Sequence, residues 1–255
     1  MDRTFQTTPK PYGLAHWLIL AGILSAVAVF ALAMRKKDRQ QLLAFLFVSG
    51  LCMLLAEGFK QWFVLRFVSR GTRSMWYFPW QLCSMTMYCS ALAPVLKGKA
   101  QDALLVFLCT FSVIGAVFAL LFPGDMMRPQ ILLFMHSFLY HMLMLFEGLL
   151  ALFLLRRRKK APFFPALLLF LGAAAIAEGI NAVSHLIISD IRYESNMFYI
   201  TPFYPSTQPV FRAIAVHAGV LTEILVYLGA IALAAYLLYL LETLALRKKE
   251  PSRQP

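Results

Sequence analysis

The sequence predicts an all-α membrane protein with seven transmembrane helices, and three observations carry that expectation. Of 255 residues, 60% are hydrophobic and only 14% charged, with a mean hydropathy of +0.70. A soluble domain is nearer half apolar and a quarter charged, so this chain cannot cover its own surface with polar groups. The apolar residues gather in blocks long enough to cross a bilayer, which takes roughly 20 residues at about 1.5 Å rise each. The basic residues fall in short runs between those blocks. The net charge of +12 therefore reads as membrane topology, and no nucleic-acid partner is expected.

The candidate spans cover 13–34, 41–68, 79–96, 102–122, 130–155, 162–188 and 212–246. The first is too long for the apolar region of a signal peptide and should be retained. The third is the weakest, opened by Pro79, closed by Pro94 and carrying the polar run Gln81-Leu82-Cys83-Ser84. Residues 1–12 then form an extracytoplasmic N-terminal segment, 13–246 the transmembrane domain and 247–255 a basic cytoplasmic tail that meets anionic headgroups.

Orientation follows from the distribution of Lys and Arg. Arg35, Lys36, Lys37, Arg39, Lys97, Lys99, Arg156 to Lys160, Arg247, Lys248, Lys249 and Arg253 follow the odd-numbered spans, fifteen in all. Eight lie on the other side: Arg3, Lys10, Arg66, Arg70, Arg73, Arg128, Arg192 and Arg212. The N-terminus should be outside and the C-terminus cytoplasmic, in a multi-pass protein of the cell membrane. The runs RKKDR (35–39) and RRRKK (156–160) each precede a span containing Ala-Glu-Gly, at 56–58 and 177–179, with one offset of 121 residues. Two three-helix units joined by one linker helix, a 3+1+3 parallel repeat of a kind found in transporters, would give this pattern. The alternative is chance, since only a tripeptide and a basic run match.

Polar residues inside hydrocarbon are costly and mark candidate sites. Helical spacing gathers them into stripes: Glu57 with Lys60, His136 with Tyr140 and Glu147, and Glu178 with Asn181 and His185. Together they suggest an enclosed polar cavity rather than lipid contact, with Glu57 and Lys60 neutralising one another. All five histidines fall in the outer half. His16, His185 and His217 sit near the interface, where solvation suffices. His141 lies about 140° around its helix from His136, so at most one is expected at a shared site. Cys83 and His136 have similar expected depths. Cys52, Cys89 and Cys109 are most simply small core residues. Neither zinc-ligand spacing nor a disulfide framework is visible, and no metal or cofactor is expected.

The segment Phe78-Pro79-Trp80-Gln81-Leu82-Cys83-Ser84 resembles the Pro-Leu-His-Leu-Cys segment of YwaF-like integral membrane proteins. Phe134-Met135-His136-Ser137 is similar to that family's helix beginning Phe-x-His. Asn181, then Ser195-Asn196-Met197-Phe198-Tyr199 and Pro202, resembles its Asn, Asn-Tyr-Met-Phe-Leu and downstream Pro. Order and spacing agree over roughly residues 40–240. Two departures stand out: Gln81 replaces the family His two residues before the Cys, and the register of the Asn-Tyr-Met motif is ambiguous. Animal relatives are described as cysteine-dependent phospholipid acyltransferases, and more distant ones as lipid hydrolases with a threonine–histidine pair. The resemblance implies Cys83 as nucleophile and His136 as base; the polar stripes add Tyr140 and Glu178 around the substrate, and Gln81, Asn181 or Asn196 could donate a hydrogen bond to the oxyanion. Membrane lipids would be the partners. The rival expectation, drawn from Glu57, Glu178 and the repeat, is a small-solute or ion transporter. The sequence does not disclose the oligomeric state.

Overall fold

The computed structural model describes residues 4, 5, 7–69, 74–156 and 161–247. The eight basic-tail residues 248–255, and Arg3, Arg70, Arg73 and Arg157 to Lys160 of the charge pattern, lie outside them. Among the described residues the chain is helical: α1 (Leu14–Met34), α2 (Arg39–Val68), α3 (Met85–Leu92), α4 (Gly98–Leu121), α5 (Ile131–Leu155), α6 (Phe164–Ile187), α7 (Pro209–Ala218) and α8 (Val220–Arg247). Six of these, all but α3 and α7, are long and apolar enough to cross a membrane.

Local sequence sets the ends. Asp38 caps α2 by accepting from the Gln41 amide at 2.9 Å, while Gln41 Oε1 accepts from the Asp38 amide, a reciprocal capping box. Pro209 opens α7, where its missing N–H has no helical partner to lose. α2 closes in a wider π turn over Val64–Val68, and α4 contains another over Leu108–Ser112.

Two expected spans are reshaped. The third is α-helical only over Met85–Leu92, because Pro79 and the turn through Ser84 keep its first part out of helix. The whole segment nevertheless runs antiparallel to α2. Gln61 Nε2 donates to the Tyr77 carbonyl at one end, Gly50 touches Ser90 and Ala91 midway, and Gln101 donates to Ala93 while accepting from Arg39 at the other. The span expected as one helix over 212–246 is broken at Gly219, whose φ of 89° is disfavoured for residues with a Cβ. There α7 folds back on α8, bringing Phe211 and Tyr227 ring centroids to 4.8 Å.

α5 is the central helix, packed against α1, α2 and α4. Its Glu147 is fully buried and accepts hydrogen bonds from Ser49 of α2 (2.9 Å) and Ser90 of α3. Small residues permit the close approaches that drive helix association without a hydrophobic force between helices. A Cβ on Gly50 would sit 2.6 Å from the Ala91 amide nitrogen, whereas one on Gly58 would meet nothing within 4 Å. Gly50→Ala should therefore destabilise by about 1–3 kcal/mol through overpacking. Gly58→Ala should gain up to about 1 kcal/mol of helix propensity. Unfolding midpoints in detergent should move in opposite directions for the two variants.

Candidate functional site

The segment between α6 and α7 does not lie on the surface. Ser195, Asn196, Met197, Phe198 and Thr201 are all buried, so the chain enters the helix bundle as a strap. A non-helical backbone at that depth needs internal partners, because hydrocarbon supplies none. Asn181 of α6 provides two: its Oδ1 accepts from the Met197 amide at 2.7 Å and its Nδ2 donates to the Met197 carbonyl at 3.2 Å. Gln81 does the same from the turn before α3, accepting from the Phe198 amide at 2.8 Å and donating to the Asn196 carbonyl at 2.9 Å. Asn196 Oδ1 accepts from the Thr201 amide, and Ser184 Oγ from the Ser195 amide. These bonds hold Phe198 and Tyr199 at positive φ, 57° and 58°, a conformation that costs about 1–3 kcal/mol per non-glycine residue.

Beside the strap lies a cavity of about 240 Å³. α2 contributes Glu57 and Lys60, the turn before α3 Gln81, Cys83 and Ser84, and α5 His136, Ser137, Tyr140 and His141; Asp125, Arg128, Tyr199, Gln208 and Tyr227 are among its other polar lining residues. Lys60 Nζ lies 2.7 Å from Glu57 Oε1, the ion pair that their spacing predicts, and Gln61 donates to the same oxygen. Asp125 accepts from the Tyr199 hydroxyl at 2.7 Å. The Arg128 guanidinium stands over the Tyr77 ring.

Cys83 sits on the turn leading into α3, with the Ser84 hydroxyl and amide beside its sulfur. It packs in one cluster with Tyr140, whose ring stacks on His136 at 5.4 Å. No hydrogen bond joins Cys83 to His136. The Nε2 of His136 and the hydroxyl of Tyr140 are both buried without a hydrogen-bond partner in the protein, and such groups call for a water, a ligand or a chemical role.

Of the residues singled out from sequence, Gln81, Cys83, His136 and Tyr140 come together in this cavity. Asn181 and Asn196 lie behind it as supports of the strap, and Glu178 lies on α6 outside the cavity lining. His136 and His141 both line it, although only one was expected to; the Nδ1–H of His141 is tied to the Ser137 carbonyl at 2.7 Å. His16 does not rely on solvation: it is a buried strut, accepting from the Tyr12 amide and donating to the Leu120 carbonyl at 3.0 Å. The sequence reading missed the roles of Tyr199 and Asp125, whose only signal was polarity near the outer ends of spans. Among the described residues, no cluster of three or more His, Cys, Asp or Glu side chains could hold a metal.

Asn181→Leu should strip partners from the Met197 amide and carbonyl. Each buried group left unsatisfied costs about 1–3 kcal/mol. Limited proteolysis should then cut within 191–208 at protease levels the unaltered chain resists.

No curated protein and no solved structure matches the chain. A family model matches residues 11–243, nearly the whole sequence, and on that match the chain belongs to the TMEM164 family.

Proposed function

We propose that this protein is a membrane-embedded lipid acyltransferase or lipid hydrolase, with Cys83 as nucleophile and His136 as general base. The observation that carries the reading is the position of Cys83. It is not one more small residue on a continuous apolar helix but stands on a turn at the start of α3, facing a polar cavity. Reactive cysteines occupy such places, where helix N–H groups and a nearby cation present positive potential to the sulfur. Here the Ser84 amide and the Lys60 ammonium lie near the sulfur, set against the burial of the thiol and the Glu57 carboxylate.

In the reaction, His136 takes the thiol proton as Cys83 Sγ attacks the ester carbonyl carbon of a lipid. The ester C–O bond breaks, His136 returns the proton to the departing alkoxide, and the acyl group remains as a thioester on Cys83. A lipid hydroxyl, or water, then gives a proton to His136 and attacks the thioester, releasing the thiol. The unpartnered Tyr140 hydroxyl belongs to a residue that shares a packed cluster and the cavity lining with Cys83, and it is the donor we assign to the oxyanion. Of the amides Gln81, Asn181 and Asn196, the first two already have both ends committed to the strap, and Asn196, whose Nδ2 is buried without a partner, is not part of the cavity lining.

The finer topology belongs to the same proposal. The segment 77–96 makes a seventh crossing, part extended and part α3, since it accompanies α2 from Gln61 to Arg39. With the excess of Lys and Arg inside, the cavity opens toward the outer leaflet of the cell membrane, and membrane lipids are the partners. The 3+1+3 repeat draws support from the two non-helical segments, one in each proposed half, which meet where Gln81 bonds to Asn196 and Phe198. A transporter reading keeps one favourable observation, the Glu57–Lys60 pair in the cavity, but Glu178 does not share it.

The test uses wild-type and variant protein in liposomes of phospholipid with isotope-labelled acyl chains, followed by mass spectrometry. Label should pass to another lipid or to free acid with wild type and with Cys89→Ala, and not with Cys83→Ala. His136→Ala should slow transfer by about 10²–10⁴-fold. Equal transfer by wild type and Cys83→Ala would sink the nucleophile. No transfer by any protein, with Glu57-dependent solute flux instead, would establish the transporter.

A further inference from the structure

A second hollow lies on the outside of the bundle, between the ends of α2 and α5. Ala56 and Phe59 form one wall, and Leu132, Met135 and Leu139 the other, with His136 at its base. His136 also lines the polar cavity, so its side chain is shared by the two linings. The groove belongs to the apolar faces of two helices long enough to cross a membrane, so its occupant comes from the bilayer. Phe59, Met135 and Leu139 are 43%, 54% and 50% exposed, leaving a large apolar concavity open to the side. At its base the Nε2 of His136 is buried and unpartnered.

Resting on the reading of Cys83 and His136 given above, we infer that this groove is the lateral entry for the acyl chain of the reacting lipid. The chain lies between α2 and α5 and brings its ester carbonyl past His136 into the cavity of Cys83. The wall from Ile131 to Leu139 rises about 12 Å along α5, so the groove contacts a run of methylenes rather than a single group. It thereby sets the chain length that the enzyme accepts. Ala56 is the determinant, because its small side chain keeps the groove open where a larger one would fill it.

Two measurements on Ala56→Trp test this, with Leu55→Trp, 75% exposed and outside the groove, as the control. In liposomes, Ala56→Trp should lower transfer of an oleoyl group relative to an octanoyl group by about tenfold or more, as expected when methylenes lose a hydrophobic pocket. Leu55→Trp should keep the wild-type ratio. Separately, phosphatidylcholine with a photoactivatable diazirine in its acyl chain should label the peptide holding Met135 and Leu139 in wild type, and much less in Ala56→Trp. The labelling needs no turnover. Transfer by wild type with an unchanged ratio in Ala56→Trp and no adduct at these residues would overturn the groove and leave the nucleophile standing. Adducts at the groove without transfer by wild type would keep the entry site and sink the acyl chemistry. Retained detergent unfolding midpoints would exclude misfolding as the cause of either change.

Discussion

The structure depends on one constraint: a non-helical backbone buried inside an apolar helix bundle must find its hydrogen-bond partners within the protein. Two stretches of this chain break helical bonding at depth, the turn through Gln81–Ser84 and the strap around Asn196–Tyr199. They satisfy each other. Gln81 spends both ends of its amide on the strap, and Asn181 holds the strap from the opposite side. Because each of these amides meets a backbone donor and a backbone acceptor, neither can be replaced by a one-sided group without leaving a buried polar atom bare.

The candidate site is a consequence of that arrangement. Were 79–96 a plain helix, Cys83 would be one more apolar side chain in a bundle interface, as Cys89 is. The turn lifts it to the start of α3, and the Gln81 bonds two residues earlier fix the turn against the strap. The strap also carries Tyr199 to Asp125 at the cavity wall. On the other side, Glu147 ties α2 and α3 to α5 through Ser49 and Ser90, which holds the helix bearing His136 and Tyr140 against the turn bearing Cys83. Buried polar bonds of this kind position side chains more than they stabilise the fold.

Much of the fold was legible because hydropathy and length are additive along the chain. The six long helices lie close to where apolar blocks place them, and the i,i+3 spacing of Glu57 and Lys60 announced their ion pair. The third segment also carried its warning in Pro79 and the polar residues after it. What the sequence concealed depends on contacts between distant residues. Nothing in the sequence marks the strap as a buried element, although Met197-Phe198-Tyr199 at its centre is apolar and seeks the interior. The hairpin at Gly219 is hidden because apolar residues flank it on both sides, and a lone glycine inside an apolar run is common in membrane helices. Depth could be read from position in a span. Which of His136 and His141 faces the cavity could not, since both do.

The shape of the packed region bears on the choice between chemistry and transport. Below the cavity, toward the end marked by Arg39 and Gln101, the bundle is filled. Phe111 stacks on Phe107, Phe163 and Phe170 with ring centroids 5.3, 5.6 and 4.7 Å apart. Leu105, Leu108, Leu150 and Leu154 close around them with almost no exposed surface. Dense apolar packing of this kind resists rearrangement, because a void or a displaced ring costs several kcal/mol. A solute crossing the membrane would have to part this aromatic stack. In the reaction proposed above a lipid has no such requirement, because its acyl chain would reach Cys83 from the side and leave the same way. The polar cavity therefore fits a site where lipids react within one leaflet better than a waypoint on a route through the protein.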